Sequence, residues 1–189
     1  MKLLEKKELR RIYIKKRESL SQEEREALSK RIIDRILEIE EIKGAKKVLL
    51  FCPIRGEPHI TPLFSWVLKE GKGLVLPKVE GENLKLIEVE GEKDLSVGAF
   101  CIPEPNKGKE VFPQEVDLSL VPGILFDKEG YRIGYGKGYY DKLLGKLGGT
   151  KVGVCFDFQV VERLPRDSWD KPVDLVLTDK KLYRGGKEV

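Results

Sequence analysis

Five short apolar runs constrain this chain more than anything else in it: Val48-Leu49-Leu50-Phe51-Cys52, Leu74-Val75-Leu76, Val116 to Val121, Lys151 to Phe156, and Val173 to Leu177. Each is strand-length and nearly continuous. A strand wet on one face alternates apolar and polar residues, whereas a continuous run marks a strand covered on both faces, as in a parallel sheet. A more alternating segment, Leu84 to Glu90, follows the Gly81-Glu82-Asn83 turn, and Pro77 is expected to end the strand before it. Helix-like segments separate the runs. The pattern predicts a doubly wound α/β domain over residues 1–189 with a mostly parallel sheet, and an extra helical pair over 1–44 packed on it. At 189 residues the chain is long enough for one such domain.

The helical pair is read from Lys2 to about Ser19, with Leu9 and Ile12 on its apolar side, and from Ser21 onward, where Ser21 and Glu24 form a capping box. Leu28, Ile32 and Ile36 repeat at i+4, and Gly44 is expected to stop the second helix. In the first helix Lys6 and Arg10 lie at i, i+4, as do Lys7 and Arg11. A solvated face is the more common source of such pairs; if the helix packs near the glycine loop, one of them reaches a nucleotide phosphate instead. Thr61-Pro62 reads as an N-cap and first helical residue of a helix running to about Glu70. The loop from Pro53 to Pro58 follows the carboxyl end of the first strand. Ligands bind at that end of open α/β sheets, so Arg55, Glu57 and His59 become candidates, with ordinary loop polarity the plainer reading of Arg55 and His59. Gly91 to Gln114 is the longest stretch without periodicity, with Phe100-Cys101-Ile102 as an apolar island inside it.

The chemistry concentrates in Arg132-Ile133-Gly134-Tyr135-Gly136-Lys137-Gly138-Tyr139-Tyr140-Asp141. This stretch lies between an apolar run and a helix-like segment, Asp141 to Leu147, where unpartnered helix N–H groups favour anions. Its glycines let the backbone approach an oxyanion, and Arg132 and Lys137 add fixed charge. It is not a Walker A loop, because Gly138 follows Lys137 where Ser or Thr belongs, and Tyr139 replaces the third glycine of a dinucleotide fingerprint. A glycine-rich connector remains the plainer alternative. Against it stands the combination of two cations with Asp141, which suits a magnesium nucleotide, and Asp170, before the last strand, is a candidate second carboxylate.

Composition limits the rest. A formal charge of +4 does not demand a nucleic-acid partner, and a small anion suffices. Cys52, Cys101 and Cys155 are far apart, and His59 is the sole histidine, so neither a disulfide framework nor a zinc site is indicated. No apolar run approaches a membrane span, and a cytoplasmic location, a monomeric state and no membrane partner are expected.

The loop from Arg132 to Asp141, with Leu76-Pro77-Lys78, Ile102-Pro103-Glu104-Pro105, Val121 to Asp127 and Val173-Asp174, resembles the 5-formyltetrahydrofolate cyclo-ligase family, also called methenyltetrahydrofolate synthetase. The likeness runs from Lys6-Lys7-Glu8-Leu9-Arg10 to the last strand, and Tyr139-Tyr140-Asp141 is its most specific motif. It implies a Rossmann-like three-layer α/β/α domain and an ATP- and magnesium-dependent conversion of 5-formyltetrahydrofolate to 5,10-methenyltetrahydrofolate, with ADP and phosphate released. It further implies that Lys6 and Arg10 contact nucleotide, and that Arg132, Gly134, Tyr135, Gly136, Lys137, Gly138, Tyr139 and Tyr140 form the ATP loop. Asp141 and Asp170 match magnesium carboxylates; Glu57, Phe100 and Tyr139 match substrate contacts, and Cys52 joins them as a candidate. Tyr135 stands where some members carry Arg, and Lys137 where many bacterial members carry Gly. Whether Arg132 or Lys137 clamps the transferring phosphate stays open, with Tyr139 placed near the formyl group. A sugar-phosphate isomerase, a nucleotide-binding module without chemistry, and nucleic-acid binding through the basic helix are the competing readings.

Overall fold

The computed structural model describes residues 3–98 and 103–189. Helix α1 spans Leu3–Glu18, and α2 spans Gln22–Ile36. Between them Ser21 forms the expected capping box: its hydroxyl accepts from the Glu24 N–H at 3.1 Å, and the Glu24 carboxylate accepts from the Ser21 N–H at 3.0 Å. Such a cap contributes about 1 kcal/mol. The single second helix expected up to Gly44 is instead two, because the chain turns extended at Ile39 and restarts as α3, Glu40–Gly44. That break lets Ile36, Ile39 and Ile42 all enter the core.

Strand β1, Lys47–Leu49, is followed by helix α4, Pro62–Lys69, and strands β2, Gly73–Glu80, and β3, Asn83–Val89. Pro62 opens α4 as expected, but Thr61 makes no side-chain cap and is itself helical. Pro77 does not end β2. It sits opposite Leu86 in the β2–β3 hairpin, which continues to Glu80. The segment read as aperiodic contains β4 at Leu95–Val97, β5 at Pro103–Pro105 and β6 at Lys109–Val111. Phe100 and its apolar island lie outside the described residues.

Beyond them come β7, Leu118–Val121, β8, Leu125–Asp127, and β9, Arg132–Ile133, then helix α5, Tyr139–Leu144. The chain closes with β10 at Thr150–Val154, β11 at Val160–Val161, β12 at Leu175–Leu177, β13 at Leu182–Arg184 and β14 at Lys187–Glu188. Among the described residues the main sheet runs β14-β13-β12-β10-β7-β1-β2-β3-β6. Its five middle strands pair parallel, and the edges are antiparallel additions. β8, β9 and β11 form a separate small sheet.

Burial is nearly continuous along the middle strands, as two-sided coverage requires, and successive side chains enter alternate cores. Val48, Leu74, Leu76, Leu118, Leu120, Val152, Val154, Leu175 and Leu177 join one core with residues of α2, α3 and α4. Leu49, Val75 and Val176 point the other way, into a core with Phe126 and with Leu143 and Leu144 of α5. This is the three-layer α/β/α arrangement. Gly153 is the contact that lets the second layer seat, since a Cβ there would lie 2.4 Å from the Phe126 ring. Helix α1 packs its Leu9 and Tyr13 on Leu125, Ile133 and Leu164 of the region around the small sheet.

Candidate functional site

In chain order the five parallel strands are arranged second, first, third, fourth, fifth. The order reverses between β1 and β7, and α4 and α5 lie on opposite faces. Loops leaving the carboxyl ends of two such strands diverge and leave a crevice, the usual ligand site of an open α/β sheet. Here a cleft of about 590 Å³ opens at that point, lined by Phe51 and Cys52 after β1 and by Pro122 after β7. Pro77, Val79, Leu84 and Pro103 add apolar wall.

The glycine stretch forms another wall of the cleft. It leaves β9 of the small sheet rather than a middle strand, and its helix starts at Tyr139 and lasts six residues, earlier and shorter than expected. Gly136 has φ 93° and Gly138 φ 77°, the left-handed region open to glycine. Gly134 is needed for space instead: a Cβ there would approach the Arg132 Nη2 to 2.5 Å. Gly134, Tyr135, Gly136, Lys137, Gly138, Tyr139, Tyr140 and Asp141 all line the cleft.

Two arginines are built into this wall. Arg132 is almost wholly buried, donates from Nε to the Pro122 carbonyl at 3.0 Å and from Nη1 to the Asp141 carboxylate at 3.2 Å, and lies over the Tyr140 ring. Burial pulls its pKa down, opposed by Asp141. Arg10 donates from Nε to the Gly134 carbonyl at 2.7 Å, so the basic helix does pack on the glycine loop and one of its paired cations faces the cleft. Lys6, one turn earlier, does not line the cleft.

Opposite them stands Glu57, only 2% exposed. It closes a tight turn in which Arg55 and Gly56 both have positive φ, 47° and 81°, and its N–H returns to the Ile54 carbonyl at 2.9 Å. Its Oε1 accepts from the Ile54 N–H at 2.8 Å, and its Oε2 lies 3.4 Å from the Tyr135 hydroxyl. Burial pushes its pKa up to about 7, against the pull of Arg17, the Ile54 N–H, Tyr135 and Arg132. Burial likewise pushes Tyr135 up to about 12 and Cys52 up to about 11.

Of the remaining candidates, Arg55 reaches the cleft and pairs with Glu18 at 3.5 Å. His59 lies in a separate groove, held through its N–H to Ser29. Asp170 does not line the cleft; its carboxylate accepts from the Asp167 N–H at 2.7 Å in a turn. Sequence reasoning missed Arg17, which is 1% exposed and hydrogen-bonded to Tyr135. The signal was present, since Arg17 follows Arg10 by seven residues and so shares its helix face. It also missed Glu104, a 7%-exposed carboxylate that lines the cleft and accepts from the Val79 N–H.

A sequence profile of the 5-formyltetrahydrofolate cyclo-ligase family matches residues 3–179. Among solved structures, the fold is similar to that of an Aquifex aeolicus 5,10-methenyltetrahydrofolate synthetase, with a TM-score of 0.88 and 53% identity over 95% of this chain and 92% of that one. A Mycoplasma pneumoniae protein described as 5,10-methenyltetrahydrofolate synthetase superposes with a TM-score of 0.76 at 28% identity, covering 92% of this chain and 98% of the other. A Schizosaccharomyces pombe relative, described as a probable 5-formyltetrahydrofolate cyclo-ligase, is 30% identical over 81% of this chain and 84% of its own length.

Proposed function

The chain belongs to the 5-formyltetrahydrofolate cyclo-ligase family, and we propose that its cleft performs the ATP-dependent closure of 5-formyltetrahydrofolate to 5,10-methenyltetrahydrofolate with the residues described above. The observation that carries this assignment is a single cleft in which the cations of a glycine loop face a buried glutamate. The first half suits a triphosphate and the second a flat, nitrogen-rich ring.

A formyl group on nitrogen 5 is amide-like, and its oxygen cannot leave as oxide. Attack by that oxygen on the γ-phosphorus forms a C–O–P link and releases ADP. Nitrogen 10 then adds to the activated carbon, the C–O electron pair departs with phosphate, and the nitrogen 10 proton passes to the departing phosphate or to water. Both steps call for positioning and charge stabilisation rather than a covalent enzyme intermediate. Arg10, Arg132 and Lys137 would meet the phosphates, and Tyr139 would stand at the formyl group. Glu57 and Cys52 would line the folate side. Each charge-assisted bond to phosphate is worth about 1.5–3 kcal/mol.

The residues fit a magnesium ion that arrives with the nucleotide. Among the described residues no three His, Cys, Asp or Glu side chains are grouped to hold an ion. Asp141 nevertheless stands at the cleft with its side chain 70% exposed. One carboxylate, Asp141, would suffice for an ion whose other ligands are phosphate and water; Asp170, the second candidate, does not line the cleft as it stands. When bound, the ion would offset charge on the phosphate oxygens. Asp141→Asn is accordingly expected to lower turnover about 100-fold, the effect of removing one strong electrostatic contact from a transition state, with the fold intact. Activity near that of the parent at saturating magnesium would remove Asp141 from this role.

The direct test mixes protein, magnesium, ATP and 5-formyltetrahydrofolate and follows the ultraviolet band of the methenyl product beside ADP. Equal amounts of both, dependent on each substrate, are expected. ATP binding without methenyl product would show the substrate assignment to be wrong.

A further inference from the structure

A buried guanidinium needs a counter-charge, and Arg17 lacks an adjacent one. Its Nε donates to the Arg55 carbonyl at 3.0 Å, its Nη1 to the Gly123 carbonyl at 3.4 Å, and its Nη2 to the Tyr135 hydroxyl oxygen. The guanidinium also lies 5.8 Å from the Tyr135 ring centre. No carboxylate among the described residues forms an ion pair with it. Three separate segments, the turn after β1, the bend after β7 and the glycine loop, are therefore gathered around one side chain from α1. A carboxylate is reached through Tyr135, whose hydroxyl contacts Glu57.

The direction of this chain of bonds follows from its chemistry. Guanidinium only donates, so the Tyr135 oxygen must accept from Arg17. The single phenolic proton is then left for Glu57. Oε2 of Glu57 is thereby made an acceptor, and Oε1 is already an acceptor for the Ile54 N–H. Once ionised, a carboxylate held as an acceptor on both oxygens offers its remaining lone pairs to the cleft.

We propose that Arg17 is a positioning residue: through the Tyr135 hydroxyl it fixes Glu57 as a hydrogen-bond acceptor, so that the cleft selects a ligand edge carrying N–H donors, such as the amino and lactam N–H groups of a reduced pterin. This rests on the assignment of Glu57 to the folate side. The other groups around Glu57 are Arg132 of β9, Tyr140 of α5, Cys52 after β1, Arg55 in its own turn, and Arg25 of α2, whose Nε donates to the Glu57 backbone carbonyl at 2.8 Å. Arg17 exerts the largest of the influences that favour the charged form of Glu57. Its removal therefore moves the protonation of Glu57 to higher pH.

The test measures kcat and both KM values from pH 5.5 to 9 for the parent, Arg17→Met, Tyr135→Phe and Glu57→Gln. For Arg17→Met the acidic limb of kcat/KM for 5-formyltetrahydrofolate is expected to rise by about one pH unit, the scale of losing one nearby opposite charge. The folate KM should climb at pH 7 and return toward the parent value by pH 9, while the ATP KM holds. Tyr135→Phe should shift the limb the same way, and it leaves Arg17 on its two carbonyls should Arg17→Met fail to fold. An unmoved limb in the folded variants, or a loss equal at all pH values, would overturn the proposal. If Glu57→Gln raises the folate KM while the limb stays fixed, the proposal alone fails. If Glu57→Gln leaves the folate KM unchanged, the folate assignment of Glu57 fails as well.

Discussion

Two buried carboxylates, Asp127 at the end of β8 and Glu57 after β1, look alike in exposure and opposite in bonding. Asp127 is fully buried. Its Oδ1 accepts from the Glu129 and Tyr131 N–H groups, both at 3.0 Å, and its Oδ2 from the Leu164 N–H at 2.9 Å and from Arg166 at 2.8 Å. Four donors saturate it, and it does not line the cleft. Glu57 holds one close backbone donor and one long contact to Tyr135, and it faces the cleft. A saturated carboxylate ties segments together, whereas one buried with spare acceptor capacity is held for a ligand. The contrast separates a structural charge from a functional one without reference to any homologue.

The largest effect should come from breaking the saturated site. Asp127→Ala leaves Arg166 and three backbone N–H groups without their acceptor, and losing one partner of such a cluster costs about 3–5 kcal/mol. For a chain of this size that corresponds to a fall in Tm of about 10 °C. Folate and ATP KM values measured well below that Tm should match the parent. A stable variant with a raised folate KM would collapse the distinction between the two carboxylates.

Glu57→Gln should act in the reverse sense, and its sign depends on pH. The Glu57 pKa lies near 7 in the folded protein against 4.5 for an ordinary glutamate. Below pH 4.5 the group is protonated in both states and costs nothing. As pH rises to about 7, the unfolded chain ionises first, so the folded state is progressively disfavoured; above that the deficit is constant, at about 3 kcal/mol or less. Glu57→Gln should thus raise Tm at pH 8, leave it nearly unchanged at pH 4.5, and weaken folate binding. A pH-independent Tm change would show that Glu57 is not ionised at a cost.

How much of this could be read beforehand differs between fold and site. The five apolar runs located the parallel strands because burial on both faces writes itself into every position. Of the antiparallel additions, β3 was legible as the alternating segment Leu84 to Glu90, whereas β13 and β14, Leu182–Arg184 and Lys187–Glu188, are too short to show a period. β5 contains two prolines and reads as loop. The glycine loop was visible because positive φ at Gly136 and Gly138 demands a specific residue type. Arg17 was marked only by sharing the helix face of Arg10, a signal that the many solvated cations of a basic helix mask. Nothing beside Asp127 in the sequence marks it as a buried charge, because its partner Arg166 comes 39 residues later. Local chemistry reveals backbone needs; the partners of a buried charge are a tertiary fact.

The smallest effect, and the sharpest comparison, is the same conservative change made in both networks. Arg166 reaches Asp127 and Glu129 and covers the Tyr131 ring at 3.8 Å with its guanidinium plane. Lysine keeps the charge but has neither the fork nor the plane, so Arg166→Lys should cost about 1 kcal/mol, read as a Tm lower by a few degrees. Folate KM and the pH profile should not move, because nothing in that network reaches the cleft. Arg17→Lys retains charge in the same way, yet it cannot hold the Arg55 and Gly123 carbonyls and the Tyr135 oxygen in one planar arrangement. Its folate KM should rise by more than its Tm loss accounts for. Equal kinetic consequences from the two lysine variants would mean that burial and charge alone, and not the aim of the bonds, set what each arginine does.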